Sequence, residues 1–439
     1  MSLAYSDHGG ASTSAIAAAT PPGDVRWQLH DLWIAVLLSI MVCRAVWPAF
    51  HEQTFGIEVS AAGDVTIRDL PAHLTFARTF WTGGADYSVA SHVRATETWA
   101  GRPVDRALPF GYSPTMLLLL GPFCLLPIHW GYVAWSLLAA AAVWWLTRRG
   151  HSLPVVTPLV LFSPLGLACF VLGQTAFLAA AAMVWLMMRA TNIEGQAQES
   201  ADWRGTLCDA TLLWVLTAKP PLAIAAGTAL LAGRRWRPVA VGVAMTAVTT
   251  LALTPLLGWN WPAQYLRMMS SYNREAADAV FAWSLRPDHM SNLRSLLWYS
   301  GLVGDALAAR LATLVWLATS AGLVVWGLRS RVPSRAIWPL ALLSFLLFCP
   351  HVTSTEDLLL VVVIAAMASA GIARLGTPHV LIAALALLVV WLAPEVLLST
   401  SAARTTLLLT AKLGICGTWL YLAEKGFRCR VSGFSSVVK

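Results

Sequence analysis

The sequence predicts an all-α protein that crosses a membrane many times. Of the 439 residues, 57% are hydrophobic and only 12% are charged, which is about half the charged share of a soluble domain. The 22 tryptophans suit a protein whose helix ends lie at the headgroup level of a bilayer. Apolar segments long enough to cross a bilayer recur from residue 31 to residue 423, so this range is the predicted transmembrane domain.

The order of elements follows from these segments. Residues 1–30 are rich in small and polar residues and are expected to form a disordered cytoplasmic tail, and residues 424–439 a second cytoplasmic tail. Between them the length rule predicts about 12–13 spans. The apolar segments lie near 31–50, 113–129, 130–147, 153–171, 173–190, 207–232, 238–257, 307–328, 335–350, 356–375, 378–397 and 404–423.

Arginine clusters orient these spans. The clusters near residues 234–237, 329–335 and 425–430 are expected on the cytoplasmic side, where basic residues accumulate. Counting spans from them places the two long polar loops, 51–111 and 258–306, on the outer side. The first loop is large enough to carry short interfacial helices.

Two arrangements of the segments after the first loop remain open. If 113–129 and 130–147 both cross, Arg148-Arg149 lies outside, against the positive-inside rule. If 113–129 is re-entrant, that pair lies inside, and 207–232 crosses twice with Lys219 outside. We favour the second arrangement, because it leaves no arginine pair outside and places Lys219 at a surface.

Composition also excludes several classes of function. The net charge of +8 is explained by cytoplasmic arginines, and no basic stripe with interleaved aromatics is present, so nucleic acid is not an expected partner. The seven cysteines include no CxxC motif and no His/Cys cluster. We therefore expect no structural metal site.

The first outer loop carries the strongest candidate for chemistry, Asp69. Leu70, Leu74, Ala77 and Trp81 recur at helical spacing after it, which predicts a short helix on the membrane surface. Asp69 at its start is either a helix cap or a catalytic carboxylate.

Two other acids compete with Asp69 in this loop. Asp64 precedes it, and Asp86 follows two glycines. Asp86 is more simply interpreted as a turn residue, because aspartate beside glycine is typical of turns.

Lys219 is the second candidate. It is the only lysine in the first 411 residues, and Pro220-Pro221 follow it. Proline interrupts the hydrogen-bond ladder of a helix, and an ionisable residue at membrane depth suggests function. A point cation there suits a phosphate, although a lysine extending to the surface from a helix end would look the same.

Other polar residues lie where apolar segments meet. Gln174 lies between two such segments and either satisfies a helix end or binds a ligand. Arg274 lies in the second outer loop among aromatic residues, a mixture that suits sugar and phosphate but is also typical of a membrane interface. His351, Glu356 and Asp357 lie at a late outer junction, which is either a solvated turn or a second polar wall of a site.

Taken in order, these segments resemble glycosyltransferase family 87 of the polytopic GT-C superfamily. The resemblance extends over residues 65–360, with Ser113, Thr175 and Pro221 departing from the family pattern. It rests on Asp69, Gly83-Gly84-Ala85-Asp86-Tyr87, Tyr112-Ser113-Pro114, Gly173-Gln174-Thr175, Lys219-Pro220-Pro221, Arg234-Arg235-Trp236, Met290-Ser291-Asn292 and Pro350-His351-Val352 with Glu356-Asp357.

The resemblance implies a GT-C-like enzyme of the bacterial cytoplasmic membrane. Such an enzyme moves a hexose or pentose, with inversion, from a polyprenyl-phosphate donor to a glycan or glycolipid acceptor of the envelope on the outer face. It implies Asp69 as general base and no cofactor other than the lipid-linked substrate. The implied substrate-binding residues are Tyr87, Tyr112, Gln174, Lys219, Arg274, His351, Glu356 and Asp357.

Two other classes of function remain open. A transporter or flippase for a lipid-linked or small solute would also be polytopic, but it would more often show paired broken helices, and the sequence shows one clear break, at Lys219. An inactive scaffold of envelope assembly is the other alternative.

Overall fold

The computed structural model describes residues 25–51, 57–59, 65–67, 69–101, 103, 109–149, 155–193, 203–272, 287, 290–330, 332, 334–369, 377–398 and 402–435. These residues are almost entirely helical, which confirms the predicted fold class. The helices are α1 Val25–His51, α2 Asp69–Trp81, α3 Val89–Ala100, α4 Pro114–Cys124, α5 Ile128–Arg149, α6 Val156–Leu161, α7 Pro164–Leu172, α8 Ala176–Ile193, α9 Trp203–Leu216, α10 Pro220–Ala232, α11 Trp236–Leu257, α12 Trp261–Tyr272, α13 Leu293–Tyr299, α14 Asp305–Ser330, α15 Ser334–Phe348, α16 Leu360–Ser369, α17 Thr377–Leu398 and α18 Ala402–Ser435.

Three short elements complete this order. Strands β1 (Ile57–Val59) and β2 (Val65–Ile67) pair antiparallel in the first outer loop. A 3-10 helix at Ser354–Leu359 precedes α16. Helix α1 begins at Val25 and α18 continues to Ser435, and the two predicted cytoplasmic tails stay predictions, since residues 1–24 and 436–439 lie outside the described residues.

Four described helices are long and apolar enough to cross a membrane alone, and they lie within α5, α11, α14 and α18. A fifth span would be the pair α7–α8, which bends by 111° at its break. Several predicted spans are shorter as continuous helices. The 11 residues of α4 rise about 16 Å, whereas the hydrocarbon core is about 30 Å thick, so α4 alone is too short to cross. The total of 12–13 spans stays a prediction.

An ion pair shows which ends of α1 and α5 lie on the same face of the helix bundle. Asp31, near the start of α1, accepts a hydrogen bond from Arg148 at the end of α5 at 2.7 Å. Arg148 therefore lies on the face where α1 begins, opposite the first outer loop. Together with the short α4, this geometry agrees with the re-entrant arrangement.

The segment 207–232 is a helical hairpin rather than one span. Asp209 in α9 is bound by Arg235, which follows α10, at 2.6 Å and by Arg189 of α8 at 2.7 Å. These residues form the base of the hairpin, and Lys219 lies at its tip.

Proline chemistry explains the break at this tip. Pro221 lacks the N–H that would bond the Thr217 carbonyl in a continuous helix. Ser113 uses the freed carbonyls instead, since its hydroxyl donates to Thr217 O at 2.6 Å and its N–H to Ala218 O at 3.0 Å. The start of α4 is thereby fixed to the tip of the hairpin.

The predicted helix after Asp69 is present as α2. Its predicted apolar face is buried, with Leu70 and Ala77 at 0% exposure and Leu74 at 2%. This face packs against α4 and α5, so protein rather than the membrane surface covers it. Periodicity predicted the helix but not its cover, because it does not identify what packs on an apolar face, and the position of α2 at the membrane surface stays a prediction.

Candidate active site

A close approach of two segments places Gln174 beside Asp69. Gly173 ends α7 in the left-handed conformation, with φ of 69°, and a Cβ built there would lie 2.4 Å from the Cβ of Leu70. Position 173 therefore requires glycine for two reasons, the left-handed backbone angle and the close contact with α2. As a result the side-chain amide of Gln174 donates to Oδ2 of Asp69.

The environment of Asp69 changes its acidity. Burial raises the pKa of this carboxyl from 3.8 to about 7, while nearby Lys219 lowers it and nearby Glu356 raises it. A carboxyl with a pKa near neutrality is partly ionised at physiological pH and can accept a proton there. The cap interpretation does not explain a bond to an amide 105 residues away.

Lys219 lies at the N-terminus of α10 and is paired with a carboxylate. Its ammonium donates to Oε1 of Glu356, whose side chain is only 6% exposed. The other oxygen of Glu356 accepts from the N–H and the hydroxyl of Thr353, both at 2.7 Å. This capping box holds the Glu356 carboxylate in place, and the carboxylate in turn positions the Lys219 ammonium.

Aromatic residues form one wall of the site. The ring of Tyr112 lies edge-on to His73, one helical turn after Asp69, with ring centroids 4.8 Å apart. Behind it, the fully buried Tyr87 donates its hydroxyl to Tyr112 O at 2.8 Å. Burial, followed by the charge of Lys219, lowers the pKa of His73 to about 3, so His73 is neutral at physiological pH.

Asp86, the competitor of Asp69, has the opposite acidity. Burial alone would raise its pKa, but hydrogen bonds from Ser88, Ser91 and Gln264 lower it to about 2. The Gln264 amide donates to Oδ2 of Asp86 at 3.0 Å. An acid this strong is a poor proton acceptor near neutrality, and its bonds instead attach α12 to the first outer loop.

The structure therefore brings most of the predicted site residues together, some in the cluster itself and others behind it. Asp69, Gln174, Lys219, Tyr112 and Glu356 form one cluster, and Tyr87 supports it from behind. His351 precedes the 3-10 helix that carries Glu356, and burial, then the charges of Arg294 and Lys219, lower its pKa to about 4.

Two predicted residues do not join this cluster. Asp357 faces away from it and binds Lys412 at 2.8 Å, with both side chains at 0% exposure. Its placement in the site was wrong, because adjacent residues of the 3-10 helix point in different directions. Arg274, like the competing Asp64, lies outside the described residues.

Sequence reasoning missed two residues near the cluster. His73 was detectable, because it follows Asp69 by four residues and therefore lies on the same face of α2. Gln264 was not, because its contact with Asp86 spans 178 residues of chain. Tyr265 was noted only as one of the aromatic residues of the second outer loop, and its contact with Gly111 O at 3.5 Å could not be predicted. Among the described residues, no group of three or more His, Cys, Asp or Glu is arranged to hold a metal ion.

Comparison with known proteins gives one match. The family model of glycosyltransferase family 87 matches residues 110–350, which include Tyr112, Gln174 and Lys219. Asp69 lies before this range and Glu356 after it, so the structure rather than the match brings them to the same site. The chain matches no curated protein and no solved structure.

Proposed function

Because the chain belongs to glycosyltransferase family 87, we propose that this membrane glycosyltransferase uses a polyprenyl-phosphate sugar as donor and Asp69 as general base. The acceptor is a hydroxyl of an envelope glycan or glycolipid on the outer face of the bacterial cytoplasmic membrane. The observation that carries the proposal is that the start of α2, with Asp69, and the tip of the α9–α10 hairpin, with Lys219, meet at one place. His73 of α2 contacts Tyr112, and the next residue, Ser113, donates its N–H to the carbonyl of Ala218 beside Lys219.

The reaction is a single displacement. Asp69 takes the proton of the acceptor hydroxyl while its oxygen attacks the anomeric carbon. A new carbon–oxygen bond forms, and the bond from the anomeric carbon to the phosphate oxygen breaks with inversion. The electron pair leaves with the polyprenyl phosphate.

Lys219 suits the leaving phosphate. A positive charge held where negative charge develops stabilises the transition state most when it is already in position. Glu356 supplies that position, because it binds the ammonium through one oxygen and is itself fixed through the other. The donor phosphate would share the ammonium with Glu356.

Gln174 and the aromatic wall would orient the base. The amide of Gln174 donates to one oxygen of Asp69, which leaves the other oxygen for the acceptor hydroxyl. Neutral His73 and Tyr112 lie beside it without adding a charge that would change the acidity of the base.

The donor class is tested directly with purified protein in lipid nanodiscs. One arm receives polyprenyl phosphate carrying a tritiated mannose, galactose or arabinose, the other the same sugars on nucleotides, and both receive a membrane lipid extract as acceptor. We expect label in the acceptor, with an equal amount of released polyprenyl phosphate, only in the lipid-linked arm. Transfer from the nucleotide sugars alone would contradict the proposed donor.

A flippase for the same lipid is the second candidate, since the structure adds a second helix break. The pair α7–α8 bends by 111°, and this break and the one at Lys219 both lie beside Asp69. In liposomes lacking an acceptor, a flippase would move a fluorescent polyprenyl-phosphate sugar between leaflets, whereas the proposed enzyme would leave it where it was added.

A further inference from the structure

A second polar cluster lies behind the site and is fully buried. Lys412 of α18 donates to Oδ1 of Asp357 at 2.8 Å and to the Ser291 hydroxyl at 2.7 Å. The Ser291 hydroxyl in turn donates to Oδ2 of Asp357 at 2.9 Å. The side chains of Lys412 and Asp357 have no exposed surface, so this ion pair is shielded from solvent.

Such a cluster is retained at a cost, because charges that leave water lose their hydration. Its geometry compensates in part, since each oxygen of Asp357 accepts a hydrogen bond. A buried ion pair is weak support for stability but can specify one arrangement of the segments that it joins.

The position of Asp357 suggests which arrangement is specified. Asp357 directly follows Glu356 in the 3-10 helix, where successive side chains point about 120° apart. Glu356 points to Lys219, and Asp357 points to Lys412. Lys412 is thus bonded to one side of the 3-10 helix, and Lys219 is bonded to another side of the same helix.

The rest of this junction is fixed from the same side. The Asn292 amide donates to Cys349 O at 3.0 Å and to Val352 O at 3.2 Å. Arg294 donates to Pro350 O at 3.1 Å and pairs with Asp305 at 2.7 Å. Residues 349–357 therefore rest on a buried polar layer that begins with Ser291.

We propose that Lys412, acting through Asp357 and Ser291, is a positioning residue of the donor site. It fixes the 3-10 helix so that Glu356 holds the Lys219 ammonium where the donor phosphate binds. Lys412 itself touches no substrate in this proposal, which rests on the proposed function.

A double-mutant cycle tests this role by the binding of polyprenyl phosphate to protein in nanodiscs. The variant Asp357→Asn/Lys412→Met removes both charges together, so no lone charge remains buried. If Lys412 acts through Lys219, we expect this variant to bind polyprenyl phosphate about tenfold more weakly than wild type. In a Lys219→Ala background the same two changes should cause no further loss.

Other outcomes contradict the inference. Wild-type affinity in the folded double variant, or a loss that is equally large in the Lys219→Ala background, would show that the buried pair only stabilises the protein. If the double variant does not fold, Ser291→Ala is the substitute, because it keeps both charges and removes the bridging hydroxyl. Ser291→Ala should weaken polyprenyl-phosphate binding less than the double variant does, and it should cause no further loss in the Lys219→Ala background.

The failure of the inference can be told apart from the failure of the proposed function. Wild-type protein that binds polyprenyl phosphate no better than the uncharged polyprenol would contradict the proposed donor, and the inference with it. Wild-type protein that prefers the phosphate, combined with losses independent of Lys219, would contradict the inference alone.

Discussion

Replacing Asp69 by asparagine should make the protein more stable, and the gain should depend on pH. Burial raises the pKa of Asp69 from 3.8 to about 7, so the folded state disfavours the ionised carboxylate. The stability associated with the protonated form is complete below 3.8 and is lost as pH rises towards 7. Asparagine cannot ionise and avoids this loss.

The structure sets the size of the effect. A shift of about three pKa units at about 1.4 kcal/mol each gives a ceiling of about 4 kcal/mol above pH 7. Partial exposure of Asp69 to solvent reduces this value. Between pH 5 and pH 7 the advantage of the variant should grow by about 2 kcal/mol and should change little at higher pH.

The assay compares the unfolding of wild type and variant in the same detergent at pH 5, 6, 7 and 8. A matched control is Asp31→Asn, which removes a carboxylate from a partly exposed ion pair on the other face and should change stability by less than about 1 kcal/mol. An Asp69→Asn variant that is no more stable than wild type at pH 8, or equally stabilised at pH 5 and pH 8, would refute the reasoning.

Three further predictions concern activity and packing. Since Asp69 must be ionised to act as a base, kcat/KM should fall about tenfold between pH 8 and pH 6, and a pH-independent profile would contradict its role. Lys219→Met should weaken polyprenyl-phosphate binding about 10- to 100-fold, whereas exposed Arg78→Ala on α2 should not, and equal losses would exclude the phosphate contact. Gly173→Ala should destabilise the protein by roughly 2–4 kcal/mol through backbone strain and a clash and lower transfer. The matched control is Gly101→Ala, where φ is nearly the same but nothing lies within 4 Å of an added Cβ. In thermal unfolding this variant should lose only the stability that backbone strain removes, and an equal loss in both variants would contradict the close approach of Gly173 to Leu70.

Much of the fold could be predicted from local patterns. Apolar segments of spanning length predicted the helices, and Pro220-Pro221 predicted the break at Lys219, because proline acts on its own backbone. The positive-inside rule favoured a re-entrant segment before α5 and two crossings in 207–232. The ion pairs Asp31–Arg148 and Asp209–Arg235, which hold these helices together, could not be predicted, because hydropathy does not encode them.

The site divides in the same way. Asp69 and Lys219 were identified because a carboxylate in a membrane-edge loop and a lysine among apolar residues are unusual wherever they occur. The different roles of Glu356 and Asp357 could not be predicted, since adjacent acids look alike until their partners are known. Lys412 gave no signal either, because its partners Asp357 and Ser291 lie 55 and 121 residues away.

The most direct test of the central claim is a single-turnover transfer assay on matched variants in nanodiscs. Wild type, Asp69→Asn and Asp31→Asn receive the same tritiated polyprenyl-phosphate sugar and acceptor lipids, at equal protein and with donor binding measured in parallel. We predict that Asp69→Asn keeps its donor affinity but transfers label at least about 100-fold more slowly, while Asp31→Asn transfers at the wild-type rate. Undiminished transfer by Asp69→Asn would contradict the assignment of Asp69 as the base.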